Sequence, residues 1–481
     1  MTDDVFLAID QGGHASRALL FTADGELVAK HRVKIATDRP GDDRVEQDPE
    51  EIISSVKDAV SKVIKDKASK GANIKAAGLA TQRSSIVCWD RETGKALSPV
   101  ISWQDHRAAD WLSEYGLFES EIRSITGLVM TPYYGASKIR WCLDHLDPVK
   151  EALKEQRLVC GPLASFVLYR CLEEKPLLVD TAHASRTLLC SIEKNNWSFE
   201  LLEMFGIPES ILPKVVSNKY DFGTIKTGRQ RIPLTVCTGD QTARLFSNGS
   251  PEEDALYMNL GTGAFVMRAS SDALPTDTEQ LRSVVWFDGK TTQYAGEGTV
   301  NGCGSAIAEV AEDLGIKDDK AMQLADKGLA SDDELPLFLN GVNGLASPFW
   351  RSDFTTQFVE LDDNHTDEQK LGAVLESVAF LLAVNAEQLS SWGDEPKRIW
   401  LSGGITGNDD LCQRIVDLVG LNGRRPQKHE ATARGLAYLV AKRPKKWATS
   451  IEIDEFEPKE NDFLDSRYAR WQRALFERMM V

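Results

Sequence analysis

Two stretches far apart in the chain carry the same local plan: an apolar strand, a glycine-containing turn and a returning strand. Val5-Phe6-Leu7-Ala8-Ile9-Asp10-Gln11-Gly12-Gly13 leads into Arg17-Ala18-Leu19-Leu20-Phe21. Ala255-Leu256-Tyr257-Met258-Asn259-Leu260-Gly261-Thr262-Gly263 leads into Phe265-Val266-Met267. Glycines at such turns let backbone N–H groups converge on an anion with no Cβ in the way. One hairpin of this kind opening each half of the chain predicts a duplicated phosphate clamp, and with it the use of ATP.

At 481 residues the chain exceeds one ordinary domain, and two or three are expected. A formal net charge of −17 argues against a general nucleic-acid or anionic-membrane binder. No run approaches the ~18 apolar residues that span a bilayer. The acidic start at Met1-Thr2-Asp3-Asp4 leads straight toward a strand, so no signal peptide is expected. Eight cysteines lie scattered in apolar company without a C-x-x-C pair. They read as reduced core residues of a cytoplasmic protein rather than a zinc site or a disulfide framework.

A strand pattern continues over 27–35 after a turn at Asp24-Gly25. Asp48-Pro49-Glu50-Glu51 opens a helix: Asp48 caps it, Pro49 fits its first turn, and the acids suit its dipole. Ile52, Val56, Val60 and Ile64 supply its buried stripe. Strands are expected over 74–80 and 86–89, around Thr81-Gln82-Arg83-Ser84-Ser85, and near Val100-Ile101-Ser102-Trp103. Residues 107–220 read as mostly helical. A strand over 232–238 ends at Gly239-Asp240-Gln241, and a helix follows through Phe246. The polar, turn-rich segment 247–254 is the domain boundary, separating residues 1–248 from 249–481. A long amphipathic helix is expected over 366–392, and a strand over 398–401 running into Ser402-Gly403-Gly404. Hairpins mixed with crossover helices indicate an α/β fold with a mixed sheet.

Asp10 and Asp240 each end an apolar strand, where α/β sheets form ligand sites. Magnesium takes oxygen ligands and keeps several waters, so one or two carboxylates suffice. Gly289-Lys290-Thr291 is not a P-loop, because position 284 is Val where that motif needs glycine. Asp288-Gly289 reads instead as a hairpin turn. Gly403-Gly404, with Asn408 nearby, would let a nucleobase approach the backbone. Trp103 and Tyr133 are core aromatics by default, and pocket walls only within a wider constellation.

That constellation is present. The chain resembles the FGGY carbohydrate kinase family, and within it most closely the glycerol kinases. The likeness is carried by Ala8-Ile9-Asp10-Gln11-Gly12, Val45-Glu46-Gln47-Asp48-Pro49, Thr81-Gln82-Arg83, Trp103-Gln104-Asp105, Thr126-Gly127-Leu128-Val129, Ala184-Ser185-Arg186-Thr187, Gly239-Asp240-Gln241, Gly261-Thr262-Gly263 and Ser402-Gly403-Gly404, in order along nearly the whole chain. The resemblance implies two ribonuclease-H-like (actin-like ATPase) domains around an interdomain cleft. The substrate and magnesium side would be 1–248, and the nucleotide side 249–481. It implies a phosphotransferase moving the γ-phosphate of ATP to an alcohol group, with Asp240 as general base and Asp10 and Asp240 at Mg2+. Arg83, Ser84, Trp103, Tyr133, Asp240, Gln241 and Phe265 would line the polyol pocket. Gly12, Gly13, His14, Arg17, Gly261, Thr262, Gly304, Gly404 and Asn408 would hold ATP.

Two departures matter. Glycerol kinases carry Arg-Glu where this chain has Arg83-Ser84, so one hydrogen-bonding arm for the substrate is missing. Gly13-His14 stands where the family usually has two hydroxyl residues in its first phosphate loop. Thr227-Gly228-Arg229-Gln230 is also shorter than the regulatory loop of some bacterial glycerol kinases. The leading expectation is a kinase acting on a small polyol or sugar, with an altered substrate pocket. The rival is a catalytically weak sugar or nucleotide sensor that retains the fold, and a third reading is an actin- or chaperone-like ATPase. No nucleic-acid or membrane partner is expected, and the resemblance leaves a homo-oligomer open.

Overall fold

The structure, a computed structural model, describes residues 4–331, 334–427, 430–447 and 452–480. The acidic start at Met1-Thr2-Asp3 lies outside the described residues. Its contacts divide the chain into two units. The first takes Met1–Pro251, Arg282–Tyr294 and Glu430–Ser450, and the second takes Glu252–Leu281, Ala295–His429 and Ile451–Val481.

The first unit is built on a six-stranded sheet in the order Lys219–Thr227, Gln230–Gly239, Asn73–Thr81, Asp4–Gln11, Ala15–Thr22 and Leu27–Lys34. Asp4–Gln11 runs antiparallel to Ala15–Thr22 and parallel to Asn73–Thr81, which is itself parallel to Gln230–Gly239. Asp10 pairs with Ala80, and Ala80 with Thr238. All three parallel strands therefore deliver their C-terminal ends to one edge, the edge at which open α/β sheets bind ligands. Apolar side chains on both faces (Leu7, Ile9, Leu79 and Cys237 on one, Ala8, Ala80 and Val236 on the other) are buried, as expected for central strands covered on two sides.

Helix Pro49–Lys65 covers one part of this core. Its cap is as expected: the Asp48 carboxylate accepts the Glu50 N–H at 2.8 Å. The buried stripe is Ile52, Ile53, Val56, Ala59, Val60 and Val63. Ile64 lies only partly inside, because 3.6-residue periodicity carries the core-facing line onto Val63. Helix Ala431–Val440, from late in the chain, packs on the same sheet. A Cβ at Gly78 would meet Val440 Cγ2 at 2.6 Å and Leu436 Cδ1 at 2.8 Å, so only glycine allows this approach.

The stretch 107–220 is not mostly helical. Short helices alternate with strands at Leu158–Pro162, Leu178–Asp180, Cys190–Ser191, Asn196–Trp197 and Lys214–Val216. Leu158–Pro162 joins a second sheet beside Ile86–Asp90. Four of these five strands are only two or three residues long, too short for a period-2 alternation to reveal them.

The second unit repeats the plan of the first. Ala255–Leu260 runs antiparallel to Ala264–Ser270 and parallel to Arg398–Ser402, with Asn422–Pro426 and Ile453–Phe456 beyond. Asn259 pairs with Ser402, so the turns after both strands share an edge. The expected long helix is Asp367–Ser390, with a capping box between Thr366 and Gln369. It is not amphipathic. Nearly every residue from Leu371 to Ala386 is buried, and a helix apolar all round belongs inside a core. By length and mean hydropathy this helix would pass for a membrane span, although Glu376, Ser377 and Asn385 interrupt its apolar run. In the structure, 89% of its most apolar stretch is buried.

Asp288 behaves as expected of a hairpin turn, its carboxylate accepting the N–H groups of Lys290 and Thr291 at 2.9 Å each. The eight cysteines are free thiols.

Candidate active site

In the first unit the edge loops bring Asp10, Arg17, Arg83, Ser84 and Asp240 to the ends of adjacent strands. Asp10 is 4% exposed and Arg17 Nη1 donates to its Oδ2 at 3.0 Å. Burial pushes the Asp10 carboxyl up to about 6, opposed by Arg17 and reinforced by the negative charge of Asp240. The two carboxylates thus lie close enough to feel each other, and a divalent cation suits a pair of hard oxygen donors so placed. Arg244, one helical turn after Asp240, adds its charge to the same group: Asp10 and Asp240 both act on it. It was not singled out from the sequence. Its spacing of four from Asp240 on a strand-end helix was the available signal. Glu430 approaches Arg17 at 4.0 Å and Lys30 at 3.5 Å, a further acid not foreseen.

Asp240 opens helix Asp240–Leu245, and its Oδ1 accepts the Gln241 N–H at 2.7 Å. Immediately before it, Gly239 has a specific task. A Cβ there would meet Arg83 Cγ at 2.6 Å and Cδ at 2.7 Å, so the bare backbone lets the Arg83 stem cross it. Gly239→Ala is expected to displace the Arg83 stem, because overpacking by one methyl is enough to shift such a side chain. A crystal structure of the variant checks this, and an unmoved Arg83 would refute it.

Ser84 is buried and sits in left-handed backbone at φ 63°, its hydroxyl donating to the Arg186 carbonyl at 3.3 Å. Trp103 and Tyr133 face each other with ring centroids 6.3 Å apart. His106, not anticipated, sets its ring edge against Tyr133 at 4.8 Å. Lys138 fixes the turn that carries Tyr133, donating to the carbonyls of Pro132 at 2.6 Å and Tyr133 at 2.7 Å.

The turn expected to meet phosphate runs from Gln11 to Ala15, closed by the Gly12 N–H on the Ala15 carbonyl at 3.0 Å. Neither Gly12 nor Gly13 has left-handed backbone, and a Cβ at Gly13 would meet nothing within 4 Å. Within the chain itself, no close contact demands glycine at either position. His14 at the loop tip is exposed. The loop rests on side-chain amides instead: Gln47 Nε2 donates to the Gly13 carbonyl at 2.6 Å, and Gln82 Nε2 to Gln47 Oε1 at 2.8 Å.

In the second unit the second loop is braced by a helix start. The N–H groups of Cys303 and Ser305 donate to the Thr262 carbonyl at 3.1 and 3.0 Å, and that of Gly304 to the Gly261 carbonyl at 3.0 Å. Gly304 begins helix Gly304–Asp313, and a Cβ on it would lie 3.0 Å from the Gly261 oxygen and 3.1 Å from Ile405. Gly261, Thr262, Gly304 and the turn Gly404–Gly407 are thereby gathered at one place. Gly403 takes φ 103° because Leu260 backbone leaves no room for a side chain. Asn408 caps helix Asp409–Val419 through Leu411 N–H at 2.7 Å and donates to Asp326 at 2.7 Å, so both ends of its amide are already engaged. Phe265 stands in this unit too, opposite Asn259 on the strand pair.

Each unit thus carries a strand–turn–strand hairpin with a parallel strand ending beside it, the same plan twice. Models of the FGGY family of carbohydrate kinases match the chain over residues 5–247 for the N-terminal domain and 256–442 for the C-terminal domain. The chain belongs to this family. As an FGGY kinase it is a phosphotransferase with an alcohol group as acceptor. It is 32% identical to glycerol kinase 1 of Thermotoga maritima, over 98% of each chain. With a glycerol kinase of Burkholderia ambifaria the identity is 31%, over 99% of this chain and 98% of the relative. Among solved structures it matches the ADP complex of Plasmodium falciparum glycerol kinase with a TM-score of 0.87 at 24% identity, covering 99% and 98% of the two chains. A xylulose kinase from Brucella ovis gives 0.84 at 20% identity, covering 98% and 99%. The fold is thus the two-domain α/β FGGY kinase fold of the actin-like ATPase class.

Proposed function

We propose that this FGGY kinase transfers the γ-phosphate of ATP to a hydroxyl of a small polyol or sugar, with a pocket altered from that of glycerol kinases. The observation that carries the reading is the convergence of Asp10, Asp240 and the Arg83-Ser84 loop on one sheet edge through three parallel strands. Asp240 takes the proton from the attacking hydroxyl. Asp10, held by Arg17, faces the phosphate side. Together these two carboxylates would hold Mg2+, which neutralises the charge of the transferring phosphoryl group. Arg83, Ser84, Trp103, Tyr133 and Gln241 orient the acceptor in the first unit. Gly12, Gly13, His14 and Arg17 meet the phosphates from residues 1–248. Gly261, Thr262, Gly304, Gly404 and Asn408 bind ATP from 249–481. The setting is cytoplasmic.

The relatives named glycerol kinases and the fold neighbour named a xylulose kinase support a polyol or a ketose as acceptor. Ser84 is the residue that separates these choices. A site built to bond a hydroxyl discriminates by ~10⁴-fold or more against its absence. Ser84→Glu is expected to shift the kcat/KM ratio toward glycerol by at least about tenfold. An unchanged ratio would show that position 84 does not select the acceptor.

The reading is tested by coupled ADP release with MgATP across glycerol, erythritol, longer polyols, pentuloses and hexuloses. One acceptor should stand well above the rest. Silence across the panel with ATP binding intact would favour the sensor, for which the absence of a side-chain donor at Gly13 already speaks.

A further inference from the structure

Behind the acceptor loop, in the first unit, lies a closed chain of polar side chains that the proposed chemistry does not use. His183 Nδ1 lies 2.5 Å from Asp180 Oδ2, and His183 Nε2 lies 2.8 Å from Thr81 Oγ1. Asp180 Oδ1 accepts from Asn218 Nδ2 at 2.9 Å and from the His183 N–H at 3.2 Å. Asn218 Nδ2 also donates to the Cys237 carbonyl at 3.0 Å, and the Cys237 N–H to the Asn218 carbonyl at 3.0 Å. All five residues are 0–1% exposed.

Asp180, His183 and Cys237 have the spacing of a cation site, with candidate donor atoms within 4.8 Å of one another. Hydrogen bonds already account for both imidazole nitrogens and both carboxylate oxygens. Burial, reinforced by the Asp180 charge, keeps the Cys237 thiol well above its ordinary pKa and therefore protonated. The group is a hydrogen-bonded brace. The Thr81 hydroxyl also donates to the Gln82 carbonyl at 3.2 Å, and the ring tautomer sets which atom donates between His183 Nε2 and Thr81 Oγ1.

What the brace joins is specific. Thr81 is the last residue of strand Asn73–Thr81, directly before Gln82, Arg83 and Ser84. His183 sits on the short helix Thr181–Ala184, which Asp180 caps, directly before Ser185 and Arg186. Asn218 ties Asp180 to Cys237, three residues ahead of Asp240 on strand Gln230–Gly239. On its far side the loop closes again where Ser84 Oγ meets the Arg186 carbonyl. Buried networks of this kind rigidify what they join when every member is satisfied.

We propose that the chain of Asp180, His183 and Thr81 is a positioning device for the acceptor: it locks residues 82–84 to the turn at 185–187 and to the end of the strand that presents Asp240. These residues touch neither substrate. They act through Arg83 and Ser84, so the inference rests on the proposed placement of the acceptor there. Its signature is a change in acceptor KM without a matching change in ATP KM.

Thr81→Val removes the hydroxyl at constant shape, and Thr81→Ser keeps it. In the full-length protein, with the acceptor identified in the panel, Thr81→Val should raise the acceptor KM about tenfold, the value of one buried hydrogen bond. Its ATP KM should stay within about threefold, and Thr81→Ser should stay within about threefold of wild type throughout. A wild-type acceptor KM in Thr81→Val, or acceptor and ATP KM rising together, overturns the proposal. Should no acceptor turn over, the kinase reading has failed by itself. Amide exchange over 82–84 then decides: Thr81→Val should exchange about tenfold faster than Thr81→Ser, and equal protection overturns it.

Discussion

Replacing Asp240 with Asn is expected to lower kcat by about 10²- to 10⁴-fold, the usual contribution of a positioned general base. The amide keeps an oxygen that accepts the Gln241 N–H, the bond now made by Oδ1 at 2.7 Å, so helix Asp240–Leu245 keeps its first turn. The variant cannot take the hydroxyl proton. It also lacks one charge beside Asp10 and Arg244. ATP affinity, assigned to loops elsewhere, should change by no more than about threefold. Turnover measured beside calorimetric ATP binding checks both halves. Rates comparable to wild type would remove Asp240 from the role of base.

A larger effect on stability is expected from Glu376→Ala in the second unit. Glu376 is 1% exposed within the long core helix. Its carboxylate takes the Arg467 guanidinium at 2.5 Å and Arg414 Nη1 at 2.7 Å. Arg467, also 1% exposed, spends its remaining donors on the carbonyls of Leu335 at 2.7 Å and Pro336 at 3.2 Å. Removing the acid leaves a fully buried cation with no counter-charge from this residue. Breaking a buried pair in this way costs about 3–5 kcal/mol. For a unit of this size that corresponds to a Tm lower by roughly 10 °C, readable by calorimetry. Replacing Glu376 and Arg467 together by apolar residues should recover much of the loss. A single variant within about 1 kcal/mol of wild type would show that the pair is not a stability determinant.

What could be read from the sequence was set by what is local. The hairpin at Asp10, the Asp48 cap, the turn at Asp288 and the strand into Asp240 all depend on residues adjacent in the chain. The rest depends on residues that meet only in three dimensions. Thr81 and His183 stand 102 positions apart, and nothing in either neighbourhood announces the other. Ser84 looks like an ordinary loop serine, and its left-handed φ follows from the loop closing on Arg186. Glu376 and Arg467 look like surface charges until two helices and a loop enclose them. Asn408, expected at the nucleotide, also caps helix Asp409–Val419.

Helix Ala431–Val440 carries a consequence for how the chain is made. It lies against the central strands of the first unit at the closest approach a glycine permits, and Glu430 before it reaches Arg17. A ribosome delivers residues in order, and domains generally fold as they emerge. This one cannot be finished that way: the sheet completed at Gly239 must wait for some two hundred further residues before its last apolar cover arrives. During that interval the strand face around Gly78 stays open, and the nascent chain depends on a chaperone or on speed to stay soluble. A gene cut between the two family domains would leave the acceptor half permanently in that state.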